Sequence, residues 1–276
     1  DQHMHRYMPN AGYLDVRTKV ADYISSQQKT KISANNIVMT SGAGGALNTV
    51  LKTIINPGDK IIASIPCFME YKFYCDNHGG ELELVKGLTD FNLDVDSIRD
   101  AITPRTAGVI INSPNNPSGR IYPKSTIEKL AAMLLEKSKE TGRTIYLISD
   151  EPYRKIVYDG VVVPSVMDAY KNSIACTSYS KDLSIPGERI GWLTVNPDAE
   201  DYENMINGII LCNRILGYVN APALMQRTIA ELQGMSVDVG LYKRKRDLLA
   251  NNLAKYGYKF RIPEGTFYLF VEAPEG

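Results

Sequence analysis

The residues 178–181, with the sequence SYSK, directly follow an apolar run, and Arg189 comes eight residues after Lys181. A lysine at the end of a buried strand is a candidate Schiff-base amine, because partial desolvation and neighbouring cations lower its pKa and free the nitrogen lone pair. An arginine and hydroxyl groups nearby suit a phosphate dianion, since they form charge-assisted hydrogen bonds with it. A solvated polar loop would have the same composition, so this segment alone leaves both interpretations open.

A second segment, ISDEPY at residues 148–153, ends an apolar run with a carboxylate, and a phenol follows three residues later. A buried Asp beside a cationic nitrogen stays ionised and keeps that nitrogen protonated, while a phenol can hydrogen-bond to an oxyanion. Asp150 and Tyr153 are therefore candidates for acid-base or electrostatic work. The alternative for Asp150 is a helix cap or a turn cap.

Two further segments also follow apolar runs. Residues 40–47, TSGAGGAL, open an amphipathic helix, and free N–H groups with small residues at a helix start make a phosphate cradle. They lack the GK[ST] ending of a P-loop and the full GxGxxG spacing of a dinucleotide-binding fold. The alternative that this segment is a turn with a purely structural role therefore stays open. Residues 112–119, NSPNNPSG, are typical of a loop, and their place after a strand allows ligand binding.

Seven short β-type runs must position these segments, with room for a helix between most of them. The runs lie at residues 37–40, 60–63, 81–85, 108–112, 144–149, 173–177 and 190–195. Several are continuously apolar, as expected for strands covered on both faces. Helical apolar spacing recurs between them, at 16–24, 47–54 and 127–134. We therefore predict an α/β fold with a mostly parallel central sheet sandwiched by helices.

The C-terminal part has a different pattern. From about residue 198 the sequence is helix-rich. One face of a long helix is predicted to carry Leu241, Leu248, Leu249, Leu253 and Tyr256. Residues 266–271 are typical of a strand. We predict a large domain over residues 1–257 and the beginning of a small C-terminal α/β domain over 258–276.

Charge and composition narrow the function classes. The 31 Lys and Arg balance 31 Asp and Glu, which argues against nucleic acid or an anionic membrane surface as partner. Apolar stretches are far shorter than the ~20 residues of a membrane helix, so no membrane partner is expected. Four cysteines without a CxxC pair predict reduced thiols and a cytoplasmic protein. His3 and His5 form an HxH pair without a suitably spaced third ligand, and we assign no metal.

Taken in order along the chain, the four segments and Arg189 strongly resemble fold-type I pyridoxal-phosphate enzymes. The resemblance is specifically to class I/II aminotransferases of the aspartate aminotransferase kind, and it covers nearly the whole chain. It implies transamination between an amino acid and a 2-oxo acid, with pyridoxal 5'-phosphate as cofactor. From the resemblance to the aspartate aminotransferases, we expect aspartate to be the amino donor.

The resemblance also implies a role for each motif residue. Lys181 looks like the lysine that forms the internal aldimine and later shuttles a proton. Asp150 would pair with the pyridine N–H, and Asn116 and Tyr153 would hydrogen-bond to the phenolic oxygen of the cofactor. The expected phosphate site consists of Gly42, Ala43, Gly44, Ser178 and Arg189, with Ser180 as an additional helper.

Two aromatic residues complete the expected cofactor site. Phe68 stands where the family stacks a ring on the pyridine, and it keeps the stacking without the polar group of a Trp or Tyr. The alternative makes Phe68 a core residue and Tyr71 the ring-facing one. Tyr7 resembles the tyrosine that reaches the cofactor phosphate of the neighbouring subunit, which implies a homodimer; packing within its own subunit is the alternative.

The resemblance ends where the family recognises the substrate. The arginine that binds the α-carboxylate would lie beyond Tyr268, and a glycine-bearing segment would lie before Asp1, so we expect the sequence to be truncated at both ends. Two alternatives therefore stay open, a C–S β-lyase or related carbanion chemistry on the same fold, and a cofactor-binding module without turnover. A second cation for a substrate side-chain carboxylate could come from Arg6, Arg214 or the basic cluster at 243–246.

Overall fold

The computed structural model describes residues 5–274, in which seven strands form one sheet. The strands are β1 (Ile37–Thr40), β2 (Lys60–Ile65), β3 (Glu81–Lys86), β4 (Thr106–Asn112), β5 (Tyr146–Asp150), β6 (Ser173–Ser178) and β7 (Gly191–Val195). Their spatial order is β1-β7-β6-β5-β4-β2-β3. Each coincides with one of the seven predicted β-type runs, apart from small shifts at the ends.

The sheet is mostly parallel, as the continuous apolar runs predict. β2 pairs in parallel with β3 and β4, β4 with β5, and β5 with β6. β7 alone runs the other way, antiparallel to both β1 and β6. Since β1 and β6 are both antiparallel to β7, they point in the same direction. The carboxyl ends of β1, β4, β5 and β6 consequently lie at one edge of the sheet.

Helices flank the sheet. They are α1 (Leu14–Gln27), α2 (Gly42–Ile54), α3 (Glu70–Asp76), α4 (Val95–Ala101), α5 (Lys124–Thr141), α6 (Val166–Ala169), α7 (Tyr202–Ile215), α8 (Ala223–Ala230) and α9 (Val239–Lys255), with short 3-10 turns at Ala34–Asn36 and Pro186–Glu188. Within the described residues, no helix has both the length and the hydropathy needed to cross a membrane.

The two faces of the sheet carry separate cores. On β4, Ile110 packs in the same core as α2, while its neighbour Val109 packs in the core of α5. Successive side chains of a strand point to opposite faces, so α2 and α5 cover opposite faces of the sheet. The apolar stripes of both helices are buried, including Leu51 of α2 and Leu130 of α5. The predicted architecture of a sheet between helices is confirmed.

The apolar face predicted on the long C-terminal helix is present but largely open to solvent. Leu241, Leu248 and Leu249 of α9 are exposed, and Ala250 is its buried residue among those described. Tyr256 lies just beyond the last helical residue.

The strand predicted at residues 266–271 is wrong. Among the described residues, the only pairing there is an isolated bridge between Phe260 and Val271. Thr266 has a φ of 65°, in the left-handed region that interrupts extended backbone. Its N–H donates instead to the Ile156 carbonyl at 2.9 Å, so the backbone of this segment bonds to a loop of the main body.

Residues 263–265, just before this segment, are held against the loop at residues 112–119 by further contacts. The Gly119 carbonyl accepts hydrogen bonds from the backbone N–H groups of Glu264 and Gly265, at 3.0 and 3.1 Å. The Glu264 carboxylate pairs with Arg120 at 2.6 Å. Gly119 has a φ of 68°, and a Cβ there would lie 2.2 Å from Cβ of Pro263. The division into domains at 257 and 258 stays a prediction.

Candidate active site

A cleft of about 240 Å³ opens at the edge of the sheet where the carboxyl ends of the strands meet. The predicted site residues that line it are Ala43, Gly44, Phe68, Asn116, Asp150, Tyr153, Ser178, Ser180, Lys181 and Arg189. These residues follow β1, β2, β4, β5 and β6, and parallel strands bring such segments together. The cleft walls also include Leu47, Glu70, Tyr74 and Tyr268, which sequence reasoning did not assign to a site.

Asp150 is the buried carboxylate of the cleft, with 5% of its surface exposed. Its Oδ2 accepts a hydrogen bond of 2.6 Å from the Tyr71 hydroxyl. Its Oδ1 is buried without a hydrogen-bond partner among the described residues. Burial raises the pKa of Asp150 to about 7, and the bond from Tyr71 opposes part of that rise. The free oxygen can therefore accept a hydrogen bond from a cationic N–H donor. Such a donor would favour the ionised form of Asp150.

Phe68 and Tyr71 take different positions. Phe68 lines the cleft, whereas Tyr71 is fully buried and its hydroxyl donates a hydrogen bond to Asp150. The two rings meet edge to face, with centroids 5.6 Å apart. The structure thus presents Phe68, rather than Tyr71, to a flat group in the cleft. No local pattern points to the Tyr71 contact, because Asp150 lies 79 residues further along the chain.

Lys181 extends its amine among aromatic rings. Its Nζ lies 5.5 Å from the ring centroid of Phe267 and 5.9 Å from that of Tyr153. Aromatic faces attract a cation and also restrict its hydration. The next residue, Asp182, is buried and pairs with Lys155 at 3.1 Å. The backbone that carries Lys181 is therefore held by an ion pair next to it.

Tyr153 forms a phenol pair with Tyr268, whose hydroxyl oxygen lies 2.9 Å away. Burial raises the pKa of Tyr153 well above its ordinary value, and the Tyr268 hydroxyl adds to the rise. Tyr153 is therefore a protonated hydrogen-bond donor at any physiological pH. Sequence reasoning missed Tyr268, because residues 266–271 were expected to form a strand at the start of a separate small domain.

Asn112 fixes the loop that carries Asn116. Its side-chain N–H donates to the Asp150 carbonyl at 2.8 Å, and its Oδ1 accepts from the Asn116 N–H at 2.5 Å. The end of β4 is thus joined to the end of β5, which holds the Asn116 side chain at the cleft wall.

The start of α2 forms an anion cradle. Gly42, its first residue, has a φ of 73°, and a Cβ there would lie 3.0 Å from Nη2 of Arg189. Arg189 is oriented by a bond from Nη1 to the Pro186 carbonyl at 2.8 Å. Ser178 lines the cleft beside it. Free N–H groups of a helix start, a guanidinium and a hydroxyl are the donors that a phosphate needs.

Tyr7 does not reach this cleft within its own chain, since 90% of its surface is exposed. The candidate cations for a second substrate carboxylate also lie outside the cleft walls. Arg246 is already paired with Asp159 and Asp247. The Lys243 amine lies 3.0 Å from the same Asp159.

Arg214 donates a hydrogen bond to the side-chain oxygen of Asn10 at 3.1 Å. Of the two partners considered for a metal, His3 lies outside the described residues. Within residues 5–274, no group of three or more metal-binding side chains comes together.

The fold and the cleft define an α/β enzyme that combines an anion cradle, a lysine amine and a buried carboxylate in one site. Residues 1–275 match the family described as aminotransferase class I and II. The chain belongs to this family. It is an aminotransferase, which catalyses amino-group transfer between an amino acid and a 2-oxo acid.

Individual relatives agree with this assignment. An aminotransferase from Eubacterium rectale has a crystal structure with a TM-score of 0.96 and 42% identity, covering 98% of this chain and 68% of that one. A probable aspartate aminotransferase of Methanocaldococcus jannaschii is 29% identical, covering 100% of this chain and 72% of its own. The structure of the Thermotoga maritima aspartate aminotransferase has a TM-score of 0.87 at 26% identity, covering 98% and 70%. These names favour transamination over the lyase and the module without turnover.

Proposed function

We propose that this aminotransferase works with pyridoxal 5'-phosphate bound in the cleft and attached to Lys181. The proposal rests on the buried Oδ1 of Asp150, which has no partner among the described residues. Asp150 lines the same cleft as Lys181 and Arg189. A pyridine nitrogen that carries a proton would supply the missing donor and compensate the buried charge. Without such a donor, the ionised carboxylate stays buried with one of its oxygens unpaired.

The remaining residues of the cleft fit the other parts of that cofactor. The phosphate would be held by the N–H groups at the start of α2, with the side chains of Ser178 and Arg189. Phe68 would cover one face of the ring. Asn116 and Tyr153 would donate hydrogen bonds to its phenolic oxygen.

The protein supplies the proton transfer. When bound, pyridoxal phosphate withdraws electrons from the bonds at the α-carbon of the amino acid, which makes the α-proton easier to remove. Once the amino group of the substrate has displaced it from the cofactor, Nζ of Lys181 would be free to accept that proton and later return it. The rings of Phe267 and Tyr153 lie 5.5 and 5.9 Å from Nζ and limit the access of water to it.

The substrate class follows from the relatives rather than from the cleft. Aspartate is the first donor to test, because several relatives are named aspartate aminotransferases. A cytoplasmic location is part of the proposal and is consistent with four cysteines present as free thiols.

A homodimer would complete the site with Tyr7 of the partner subunit. Leu211 and Ile215 lie one turn apart on α7 and are more than half exposed. α7 packs against α2, which carries the anion cradle, so an interface on this face would adjoin the cofactor site. Sedimentation velocity of the wild type and of Ile215→Glu tests this, with Leu248→Glu on the exposed face of α9 as control. A monomeric wild type would refute the dimer.

The attachment to Lys181 is tested by borohydride reduction and intact mass. The wild type loaded with pyridoxal phosphate should retain one cofactor after reduction, while Lys181→Ala should retain none. Lys139→Ala, on the exposed side of α5, controls for reaction of surface amines. Stoichiometric retention by Lys181→Ala would show that another amine carries the cofactor.

The reaction type is tested by adding amino acids singly and following the visible absorbance of the cofactor. A donor should convert the bound cofactor to its amine form, and a 2-oxo acid should restore the original spectrum. Release of pyruvate and ammonia from a β-substituted amino acid, without any acceptor, would instead indicate a lyase.

A further inference from the structure

A second cavity, of about 330 Å³, lies behind the strands that carry the active site. Ala175 and Thr177 of β6 and Thr194 of β7 line it. The alternating residues Cys176 and Leu193 pack on the other face, in the core of α2. The cavity is therefore on the face of the sheet opposite α2, bounded by α1 and by the loop at residues 151–166.

The charged groups around this cavity are already neutralised in pairs. Lys155 pairs with Asp182 at 3.1 Å, and Arg154 pairs with Glu151 at 3.1 Å. All four side chains belong to the cavity lining. A charged ligand would have to break one of these pairs, so the cavity favours a neutral molecule.

Among the described residues, one fully buried polar side-chain atom in the wall has no partner. Thr194 is 1% exposed, and its Oγ1 makes no hydrogen bond to any residue that the structure describes. By contrast, the Oγ1 of Thr177 donates to the Glu151 carbonyl at 2.9 Å. A buried hydroxyl without a partner is unfavourable. Oγ1 is closed off from the cavity in this conformation, so a hydroxyl or carbonyl group of a ligand would satisfy it after a rotation of the Thr194 side chain about χ1.

Most of the remaining wall is apolar. Ile24, Val163, Val166 and Met167 contribute aliphatic surface, and Trp192 contributes an aromatic ring. Val162, at the outer side, is 79% exposed, which places the rim at the loop around it. The volume is at the lower end of the range of small-molecule sites.

We propose that this cavity is a second ligand site, which takes a neutral, mostly apolar molecule, aromatic or branched, with one hydroxyl or carbonyl group bound to Thr194. Pro152 and Ser178 line both this cavity and the active-site cleft, so the two sites are neighbours. Binding at this site is measured on the cofactor-free protein and without any turnover.

Trp192 is the single tryptophan of the chain and lies in the cavity wall, so its fluorescence reports on occupancy. The probe is 4-iodobenzyl alcohol, whose iodine quenches indole emission on contact. The full chain is titrated with it, with 4-iodoethylbenzene, which lacks the hydroxyl, and with 4-iodobenzoate, which is charged. We expect saturable quenching by the alcohol and none by the benzoate over the same range.

Three variants locate the site. Thr194→Val should lower the affinity for 4-iodobenzyl alcohol about five- to tenfold, because one hydrogen bond is lost. The affinity for 4-iodoethylbenzene should not change. Ala175→Phe should fill the cavity and abolish saturable quenching. Val163→Phe, in the loop that bounds the cavity, should also block the cavity and abolish saturable quenching. It replaces Ala175→Phe as the test if that variant does not fold. Thr141→Val, at the end of α5, should bind as the wild type does.

Two results would overturn the proposal. The first is quenching by the alcohol that rises linearly up to its solubility limit, since this indicates collisions rather than a site. The second is saturable quenching with the same affinity in folded Val163→Phe and Thr194→Val, which would place the probe elsewhere.

Discussion

The hydroxyl of Tyr71 donates a 2.6 Å hydrogen bond to Oδ2 of Asp150, and both side chains are buried. Burial alone favours the neutral carboxyl, whereas this bond favours the carboxylate. The bond also fixes the orientation in which Oδ1 is left free for a ligand. Tyr71 thereby acts on the cleft through Asp150 without lining the cleft itself.

Replacing Tyr71 by Phe should raise the pKa of Asp150 further and weaken pyridoxal phosphate binding about tenfold, because a bond to a charged group is lost. The measurement is the cofactor dissociation constant as a function of pH, with the loss largest at neutral pH and below. Tyr170→Phe is the matched control, since Tyr170 is also buried and donates to the Ile145 carbonyl far from the cleft. An equal loss in both variants would reduce the Tyr71 effect to general destabilisation.

Asp150 should also make the cofactor-free protein less stable as the pH rises. Its pKa is about 7 when folded and near the ordinary value of about 4 when unfolded, so the folded state binds more protons between these values. The stabilisation is complete below about pH 4 and is lost as the pH rises through about 7. Asp150→Asn lacks this titration, so its urea-unfolding free energy relative to the wild type should increase from pH 5 to pH 8. Parallel profiles would contradict the raised pKa.

Gly42→Ala should weaken the proposed phosphate site more than it destabilises the fold. A non-glycine residue at a φ of 73° costs about 1–2 kcal/mol, and the new Cβ would press on Arg189 at 3.0 Å. We expect cofactor affinity to fall at least tenfold, measured by titration of the cofactor-free protein. Gly187→Ala is the control, because a Cβ there meets nothing within 4 Å although Arg189 is two residues away. Equal affinity in the two variants would argue against the cradle.

Tyr268→Phe should weaken cofactor binding through Tyr153. Losing the phenol pair leaves the Tyr153 hydroxyl less firmly oriented, and we expect a three- to tenfold lower affinity, about the value of one neutral hydrogen bond. The effect should disappear when Tyr153 is already Phe, so the test is a double-mutant cycle. Additive effects of the two changes would mean that Tyr268 acts independently of Tyr153.

Much of the fold could be read from local patterns. β4 and β5 are apolar runs because both faces of a parallel sheet are covered, and the stripes of α2 and α5 mark which helix side is buried. The same local patterns wrongly predicted a strand at residues 266–271. Although the composition there is typical of a strand, Thr266 has a left-handed backbone conformation and its N–H bonds to a loop that is distant in sequence. These patterns also missed that the leucine face of α9 lies open. Local preference yields to tertiary contacts in both places.

The sequence by itself determined which chemical groups follow which strands, because a parallel sheet sends the carboxyl ends of its strands to one edge. Lys181, Asp150 and Arg189 could therefore be expected in one cleft. Only the tertiary structure decided the partners of those groups, since the bonds of Tyr71 to Asp150 and of Tyr153 to Tyr268 join residues 79 and 115 positions apart. It also decided which oxygen of Asp150 stays free and where the second cavity lies, because both depend on how separate elements pack.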